Sequence, residues 1–517
     1  MNYKKISWKY TLLYPILVFL LSSIPFLFIN GVWWDDNTVW NVSPESLYEY
    51  LGPSDANEVF QYIYIRAVTN LFPLNRQVFI FHILAFFFQT VSLASIWYIL
   101  KKITNDKFFT LFTMLLVASF GLDKTTFLII CSHSVIANSL FYVGLALLVK
   151  DYYNNSKLLV FVVSILWLLS LCVWRTAALL MPFSILVASG SAIAFYYKSK
   201  KSYYRLFKHV IYRYWPILLS IITFLFIYKI FLLQSGPHAN YYRPTVLNLI
   251  MSPLLAISSA FISIIYYYSS SIGSISLYTD IPFFAFYMLL VLLAFIILYK
   301  NCRAPEFDGK RLSMFAFLYM SLSFLLPLSI YGALKMVGFE EYNTRTLCLS
   351  ALPLGVITIT LLLSLNRNLF IWVYSFLFVG SFIYSLNSNM NYGFSVLKQE
   401  CIVDYLKENK QLENHVILVR DAAYSFNANQ SALRNYEYEG LARLSYGSHT
   451  KTSIMSYYGG NQHVIKPDCE IEIRQKVFSI NMQTKFVVFL NVFLLNNNKK
   501  KEDYINSLLE INHKFLN

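Results

Sequence analysis

Runs of roughly 17–25 apolar residues recur along the first three quarters of this chain, the length an α-helix needs to cross a hydrocarbon core of about 30 Å. Nothing else in the sequence limits the fold as strongly. A soluble domain does not carry such runs in series, because it has too little interior to hide them. Hydropathy places about eleven spans, near 10–29, 78–100, 108–121, 127–149, 158–174, 177–197, 215–233, 282–299, 313–334, 347–364 and 369–387. Charge agrees: 13% of the 517 residues are charged and 57% are hydrophobic, too little charge to cover a soluble surface. The expected fold class is a polytopic α-helical membrane protein with a small C-terminal extracytoplasmic α/β domain.

The net charge of +15 does not point to nucleic acid. The basic residues fall in short connections between spans, where the positive-inside rule puts them. Lys4, Lys5 and Lys9 precede the first span; Lys101, Lys102 and Lys107 follow the second; Lys150 and Lys157 follow the fourth. The stretch 197–214, "YKSKKSYYRLFKHVIYRY", follows the sixth. Lys300, Arg303, Lys310 and Arg311 follow the eighth, and Arg367 the tenth. Alternating spans put all of these on one side, so the amino terminus is expected to be cytoplasmic. The opposite side receives 30–77, 234–281, 335–346 and everything after about 388. The segment 246–272 is apolar enough to span, but a span there would turn "KNCRAPEFDGKR" outward; a helix in the outer interface or a re-entrant element fits better. The first apolar run has no small-residue cleavage site behind it, and reads as a retained span.

From 389 to 517 the chain alternates charged and apolar residues, and reads as a separate extracytoplasmic α/β domain beside a membrane domain of residues 1–388. "CIVDYLKENK" (401–410) and "SALRNYEYEGLARL" (431–444) read as helices, "HVILVRD" (415–421) and "KFVVFLNVF" (485–493) as strands. The six cysteines are scattered singly, with no metal-binding spacing; Cys401 and Cys469 share the tail, where an oxidising compartment would let them pair.

Directly after the first span stands "GVWWDDNTVW" (31–40), with Asp35 and Asp36 between Trp33, Trp34 and Trp40. Acids can end a span and indoles populate the interfacial belt, which is the plain reading. The loop they open, 30–77, is long and contains the helix-like "PESLYEYL" and "NEVFQYIYIRAVTNLF". Two other outer segments carry charged residues: "SGPHANYYRPT" (235–245) with Arg243, and "KMVGFEEYNTRT" (335–346) with Glu340, Glu341 and Arg345. Carboxylates at one exit and arginines at others suit transfer from a lipid-linked sugar phosphate. A carboxylate takes the proton of an attacking hydroxyl, an arginine fork holds phosphate oxygens, and aromatic faces meet sugar rings.

A cytoplasmic amino terminus, one span and a long outer loop opening on an acidic pair resemble the GT-C superfamily of polyprenyl-phosphate-sugar-dependent glycosyltransferases. The run "NRQVFIFHILAFFFQTVSLASIWYILKKITNDKFFTLFTMLLVASF" (75–120) is similar to the second and third spans of many such enzymes, and an outer domain after the last span is a further shared feature. The resemblance implies Asp35 and Asp36 as the catalytic pair and Arg345 as the phosphate-binding arginine. Within the superfamily, size, composition and the single outer tail resemble the bacterial and phage Gtr-type glucosyltransferases that decorate O-antigen. That implies glucose from undecaprenyl phosphate, a lipopolysaccharide glycan acceptor, a bacterial inner-membrane location with a periplasmic tail, no cofactor and no nucleic-acid partner. "NNNKKKEDY" (496–504) resembles basic residues near the carboxy terminus of some of these enzymes, although a solvated turn explains Lys499–Lys501 equally.

Other residues carry two readings each. His82, inside the second span, faces a cavity or bonds a neighbouring helix. His133, with Ser132, Ser134 and Asn138 at the start of the fourth span, is polar glue or substrate contact. Arg175, in the short turn "VWRTA", snorkels outward or binds phosphate, and Arg243 is comparable. Lys124 beside Asp123 reads as an exposed ion pair, and Arg66 as packing along the first loop. Glu340 and Glu341 could join the acidic pair around a divalent cation, but the spacing does not define a metal site. The substrate-binding set is therefore Arg345, Arg175, Arg243, Trp33, Trp34, His133 and Glu341. "MSYYGGNQH", with Tyr457, Tyr458 and His463, is a candidate acceptor contact in the tail. Two alternatives are an O-antigen polymerase, whose largest outer loop would lie between late spans, and a lipid-linked saccharide flippase, which would show inverted repeats; neither pattern is present in the sequence.

Overall fold

The computed structural model describes residues 6–29, 56–120, 127, 129, 132–154, 156–173, 203–231, 265, 268–269, 281–303, 351–423, 426, 433, 435–447, 449–456, 466–476 and 482–516. Its helices are α1 (Tyr10–Ser23), α2 (Pro25–Phe28), α3 (Ala56–Leu71), α4 (Leu74–Thr104), α5 (Lys107–Ser119), α6 (Ser132–Asn154), α7 (Lys157–Val173), α8 (Tyr203–Phe231), α9 (Ile281–Asn301), α10 (Ala351–Leu362) and α11 (Arg367–Glu408). Four of them, α4, α6, α9 and α11, are long and apolar enough to cross a membrane; α1, α5, α7 and α10 are shorter apolar helices. Nine of the expected spans coincide with described helices, and 177–197 and 313–334 lie outside the described residues. So does 246–272, except for Ile265, Tyr268 and Ser269; the Tyr268 hydroxyl lies 3.2 Å from Thr358 Oγ1 of α10.

Local chemistry sets the helix ends. Asp106 caps α5, its Oδ1 accepting from the backbone N–H of Phe108 (2.8 Å) and Phe109 (3.0 Å). Asn105 closes α4 in a left-handed conformation, φ 48°, which asparagine tolerates better than most residues. Together they reverse the chain in two residues. Pro25 has no N–H to continue α1, and the chain restarts there as the single turn of α2.

One end of the bundle collects the basic residues. Lys101 Nζ sits over the rings of Trp8 (5.4 Å) and Trp97 (4.6 Å). Arg303 lies over Phe108 at 5.5 Å. Arg367 donates to the carbonyls of Tyr299 (2.7 Å) and Cys302 (3.3 Å). Arg213 grips buried Asp151 through two nitrogens, at 2.7 and 3.1 Å, joining α8 to α6. Among the described residues, Lys101, Arg303 and Arg367 thus gather where α4, α5, α9 and α11 begin or end. The 197–214 stretch differs from its reading as a loop, because α8 begins at Tyr203.

The tail grows directly from the bundle. Helix α11 has 42 residues, about 63 Å at 1.5 Å per residue, and passes through 388/389 without a break. "CIVDYLKENK" is its distal end rather than a separate helix. After a 3₁₀ turn (Lys410–Leu412) the chain turns back in β1 (Val416–Asp421), followed by α12 (Asn435–Tyr446), β2 (Ser453–Ser456), β3 (Cys469–Gln475), α13 (Met482–Val488), a π turn (Phe489–Leu494), α14 (Asn498–Leu508) and β4 (Leu509–Phe515). The sheet order is β2-β1-β3-β4; β1 pairs in parallel with β2 and β3, and β4 is antiparallel to β3.

The expected strand at 485–493 is helical. An apolar run without strict alternation suits either state, and here it buries Val488, Phe489 and Val492 while exposing Phe486 and Val487, a helical division. Lys499–Lys501 lie in the first turn of α14, which Asn497 caps; Lys499 and Lys500 are exposed to solvent, as a solvated turn would have them, and Lys501 pairs with Glu400 of α11 at 2.6 Å. Cys401 and Cys469 are free thiols rather than a disulfide.

Candidate functional site

At the other end of the bundle α2 and the early part of α4 meet α11, α2 also meets the π turn, and α3 packs on α4, α6 and α7. His82 of α4 is buried there, its Nδ1 2.7 Å from the carbonyl oxygen of Phe26 in α2. A carbonyl only accepts, so Nδ1 carries the hydrogen. The rings of Phe26, Phe127 and Tyr392 surround the imidazole, the last from α11. His82 therefore bonds a neighbouring helix, the second of its two readings. It fixes the exit of the first span against the second.

Helix α3 is anchored on the same end. Gln77 Nε2 donates to the carbonyls of Thr69 (3.2 Å) and Phe72 (2.9 Å), closing the end of α3. Burial pushes the Tyr64 phenol of α3 up to about 12, against a hydrogen bond with Ser132 at the start of α6. Phe60 of α3 packs on Ala137 of α6 and Val173, the last residue of α7. Arg66 is half-buried on α3. His133 is buried in the first turn of α6, between buried Ser132 and Ser134 and one turn from buried Asn138. It is the one member of the expected substrate-binding set among the described residues. Asp35, Asp36, Trp33, Trp34, Arg175, Arg243, Arg345 and Glu341 lie outside them, as do Lys124, Glu340, Tyr457, Tyr458 and His463.

The tail closes on this end through two contacts. Phe489 of the π turn meets Phe28 edge-on at 6.4 Å. At Gly393 of α11, a Cβ would stand 2.9 Å from the Phe493 ring and 3.2 Å from Ile29 Cδ1, so only glycine lets the three segments approach this closely. Asn389 donates to the Ser22 carbonyl at 2.7 Å.

The sheet presents a particular edge. Strand β1 alternates, burying Ile417, Val419 and Asp421, so register alone turns the acid inward. There Lys398 of α11 donates to Asp421 Oδ2 at 2.6 Å and to the Ala423 carbonyl at 2.9 Å. The Tyr438 hydroxyl of α12 donates to the same carboxylate at 2.8 Å, and the Ala423 N–H donates at 3.0 Å. Burial holds the Lys398 ammonium below the ordinary lysine range despite the Asp421 charge. Burial and that same charge push the Tyr438 phenol well up.

All three side chains are fully enclosed, so the cluster ties α11, β1 and α12 together and touches no solute. It also sets direction. Asp421 meets α11 ten residues before its end at Glu408, so β1 runs back toward the bundle. The carboxyl ends of β1, β2 and β3 therefore face the bundle. Between β1 and β3 the connections diverge, one through α12 to β2 and the other through α13 to β4. That divergence is a topological switch point, where α/β sheets hold ligands.

Sequence reading missed this cluster, although both signals are present. Lys398 shares the 3.6-residue face of Phe394, Ile402 and Leu406, and Asp421 continues the period-two face of Ile417 and Val419. Among the described residues no group of three or more His, Cys, Asp or Glu could hold a metal ion.

No family model matches the chain, and no curated protein matches it. Among solved structures it is similar to an oligosaccharyltransferase of Archaeoglobus fulgidus, crystallised with zinc and sulfate. The TM-score is 0.37 and the identity 10%, over 96% of this chain and 71% of that one.

Proposed function

We propose that the protein is a membrane glycosyltransferase. It moves a sugar, glucose by the Gtr-type resemblance, from a polyprenyl-phosphate donor to a lipid-linked or surface glycan such as O-antigen. The supporting observation is the convergence at the non-basic end of the bundle. The helix of the acidic-pair loop, the exit of the first span and the ligand-prone edge of the tail sheet all belong to that end. Val173, two residues before Arg175 in the sequence, packs there beside Phe60. The tail connection carrying Tyr457, Tyr458 and His463 follows the carboxyl end of β2, on the edge turned toward the bundle.

The donor enters sideways from the leaflet. Arg345, with Arg175 or Arg243, holds its phosphate, where negative charge gathers as the bond to the anomeric carbon breaks. Asp35 or Asp36 takes the proton of the acceptor hydroxyl as its oxygen bonds that carbon. Attack opposite the phosphate inverts the centre, and polyprenyl phosphate leaves. Trp33, Trp34, His133 and Glu341 line the sugar side, and no cofactor is assigned, with a divalent cation at the acidic pair compatible with the same chemistry. The tail lies on the extracytoplasmic side of a bacterial inner membrane.

The test is transfer of labelled sugar from polyprenyl phosphate to membrane glycan, comparing wild type with Asp35→Asn and Asp36→Asn at matched expression. The reading expects a loss of about 10²–10⁴-fold in one of them, the range for removing a general base. Full activity in both singles and in the double variant would sink it.

A further inference from the structure

Helix α13 and its π turn carry a feature the proposed chemistry does not use. On one side Val488, Phe489 and Val492 are buried against the tail and bundle. On the other, Phe486, Val487, Leu494 and Leu495 are exposed, Leu495 by 68%. In water so many adjacent apolar side chains would be a liability. They continue the exposed apolar surface of the first span, Leu21, Ile24 and Phe28, through the Phe28–Phe489 ring contact.

Depth fits a membrane boundary. Lys485 Nζ donates to Asn387 Oδ1 at 2.9 Å. Asn387 lies twenty residues along α11 from Arg367, which sits at the basic end. Twenty residues of helix rise about 30 Å, one hydrocarbon thickness. The Lys485–Asn387 contact thus stands about one hydrocarbon thickness along α11 from Arg367. Its ammonium has three donors. Among the described residues its recorded partner is a neutral amide, and no carboxylate pairs with it. Burial lowers its pKa to about 8, the position of a cation that lacks a counter-charge.

We infer that residues 482–495 lie in the membrane boundary on the tail side, with Phe486, Val487, Leu494 and Leu495 among the acyl chains and Lys485 bound to a phospholipid phosphate. This pins the tail over the exit of the first span. The inference does not depend on the proposed transferase activity.

The experiment uses the full chain in bilayers of phosphatidylglycerol and phosphatidylcholine, with three carbene-generating probes: one on a lipid acyl chain, one on a lipid headgroup, and one in water. Labelled peptides are read by mass spectrometry. The acyl probe should label Phe486 and Leu495, and the water probe should spare them while labelling Lys499–Lys501. Lys485→Gln should lower headgroup labelling of this segment about fivefold, the scale of one basic residue at an anionic surface, leave acyl labelling unchanged, and be rescued by Lys485→Arg. Adding inorganic phosphate should change nothing. Equal water-probe labelling of 486–495 and 499–501 would overturn the membrane placement. Unchanged headgroup labelling in Lys485→Gln, or competition by inorganic phosphate, would overturn the lipid-phosphate site.

Discussion

Removing both partners of the Lys398–Asp421 pair should cost the tail less than the two single removals summed. In Lys398→Met, Asp421 keeps the Tyr438 hydroxyl and the Ala423 N–H but loses its only buried cation among the described residues. Stranding a buried charge costs about 3–5 kcal/mol, a large share of the roughly 5–15 kcal/mol that holds a domain together. The double variant Lys398→Met/Asp421→Leu strands no charge. It leaves one hydroxyl and one N–H without an acceptor, each costing about 1–3 kcal/mol, so the two changes should couple favourably by about 2 kcal/mol or more.

Asp421→Asn adds a signature in pH. It deletes the charge that raises the Lys398 pKa, while burial continues to lower it from 10.5. The folded state then binds fewer protons than the unfolded state at pH values approaching 10.5. Stability must rise with pH in that window, by at most about 1.4 kcal/mol per unit. The assay is pulse proteolysis of the full chain in detergent across a urea series, scoring loss of the intact tail. Single variants costing under about 1 kcal/mol, additive costs in the double variant, or a flat pH response in Asp421→Asn would each refute the account.

Two further predictions rest on single contacts. In Gly144→Ala the new Cβ would collide with Trp167 Nε1 and stand 2.6 Å from its Cδ1, and that indole is buried and bonded to the Phe141 carbonyl at 3.2 Å. The α6–α7 contact should loosen by about 1–3 kcal/mol, seen as a lower midpoint when the folded fraction is followed by gel filtration after heating; an unchanged midpoint contradicts the packing. Competitive acylation of Lys485 in detergent should show an inflection near pH 8, against 10.5 for an ordinary lysine. In detergent free of phospholipid, where the buried ammonium is the penalised form, docking of α13 should tighten as pH rises between those values; an inflection near 10.5 would mean the amine is open to water.

The bundle was legible because hydropathy and charge act over whole helices, and errors of a few residues at each end do not change the outcome. The tail was harder. Strand β1 was readable from "VILVRD", yet β3 ("CEIEIRQ") hid its alternation because Glu470 is itself buried, salt-bridged to Arg420 and Lys514. Strand β4 carries His513 on the side where Tyr405 bonds it at 2.6 Å, which disguises a half-buried strand as polar. Segment 485–493 was mistaken because its apolar residues serve two surroundings at once. As for the site, His82 and His133 could be placed on spans, but which of two roles His82 takes depends on the backbone of α2, fifty-six residues away. Asp35, Asp36 and the expected arginines fall between the apolar runs of the sequence, where periodicity carries no information.

The unbroken course of α11 gives the tail a phase. Each residue of an α-helix turns the rest of the chain by about 100° and advances it 1.5 Å. Asn387, Asn389 and Gly393 face Lys485, Ser22 and Phe493 in turn, while Lys398 and Tyr405, further out, hold the sheet. One residue inserted between Gly393 and Lys398 would leave every contact chemically available and rotate the sheet by more than a quarter turn from the exit it covers. Seven residues would restore the angle to within about 20° but raise the sheet by about 10 Å. In this segment residue count matters apart from residue identity: the helix works as a key cut to length, and related chains can drift in sequence there more freely than they can gain or lose a position.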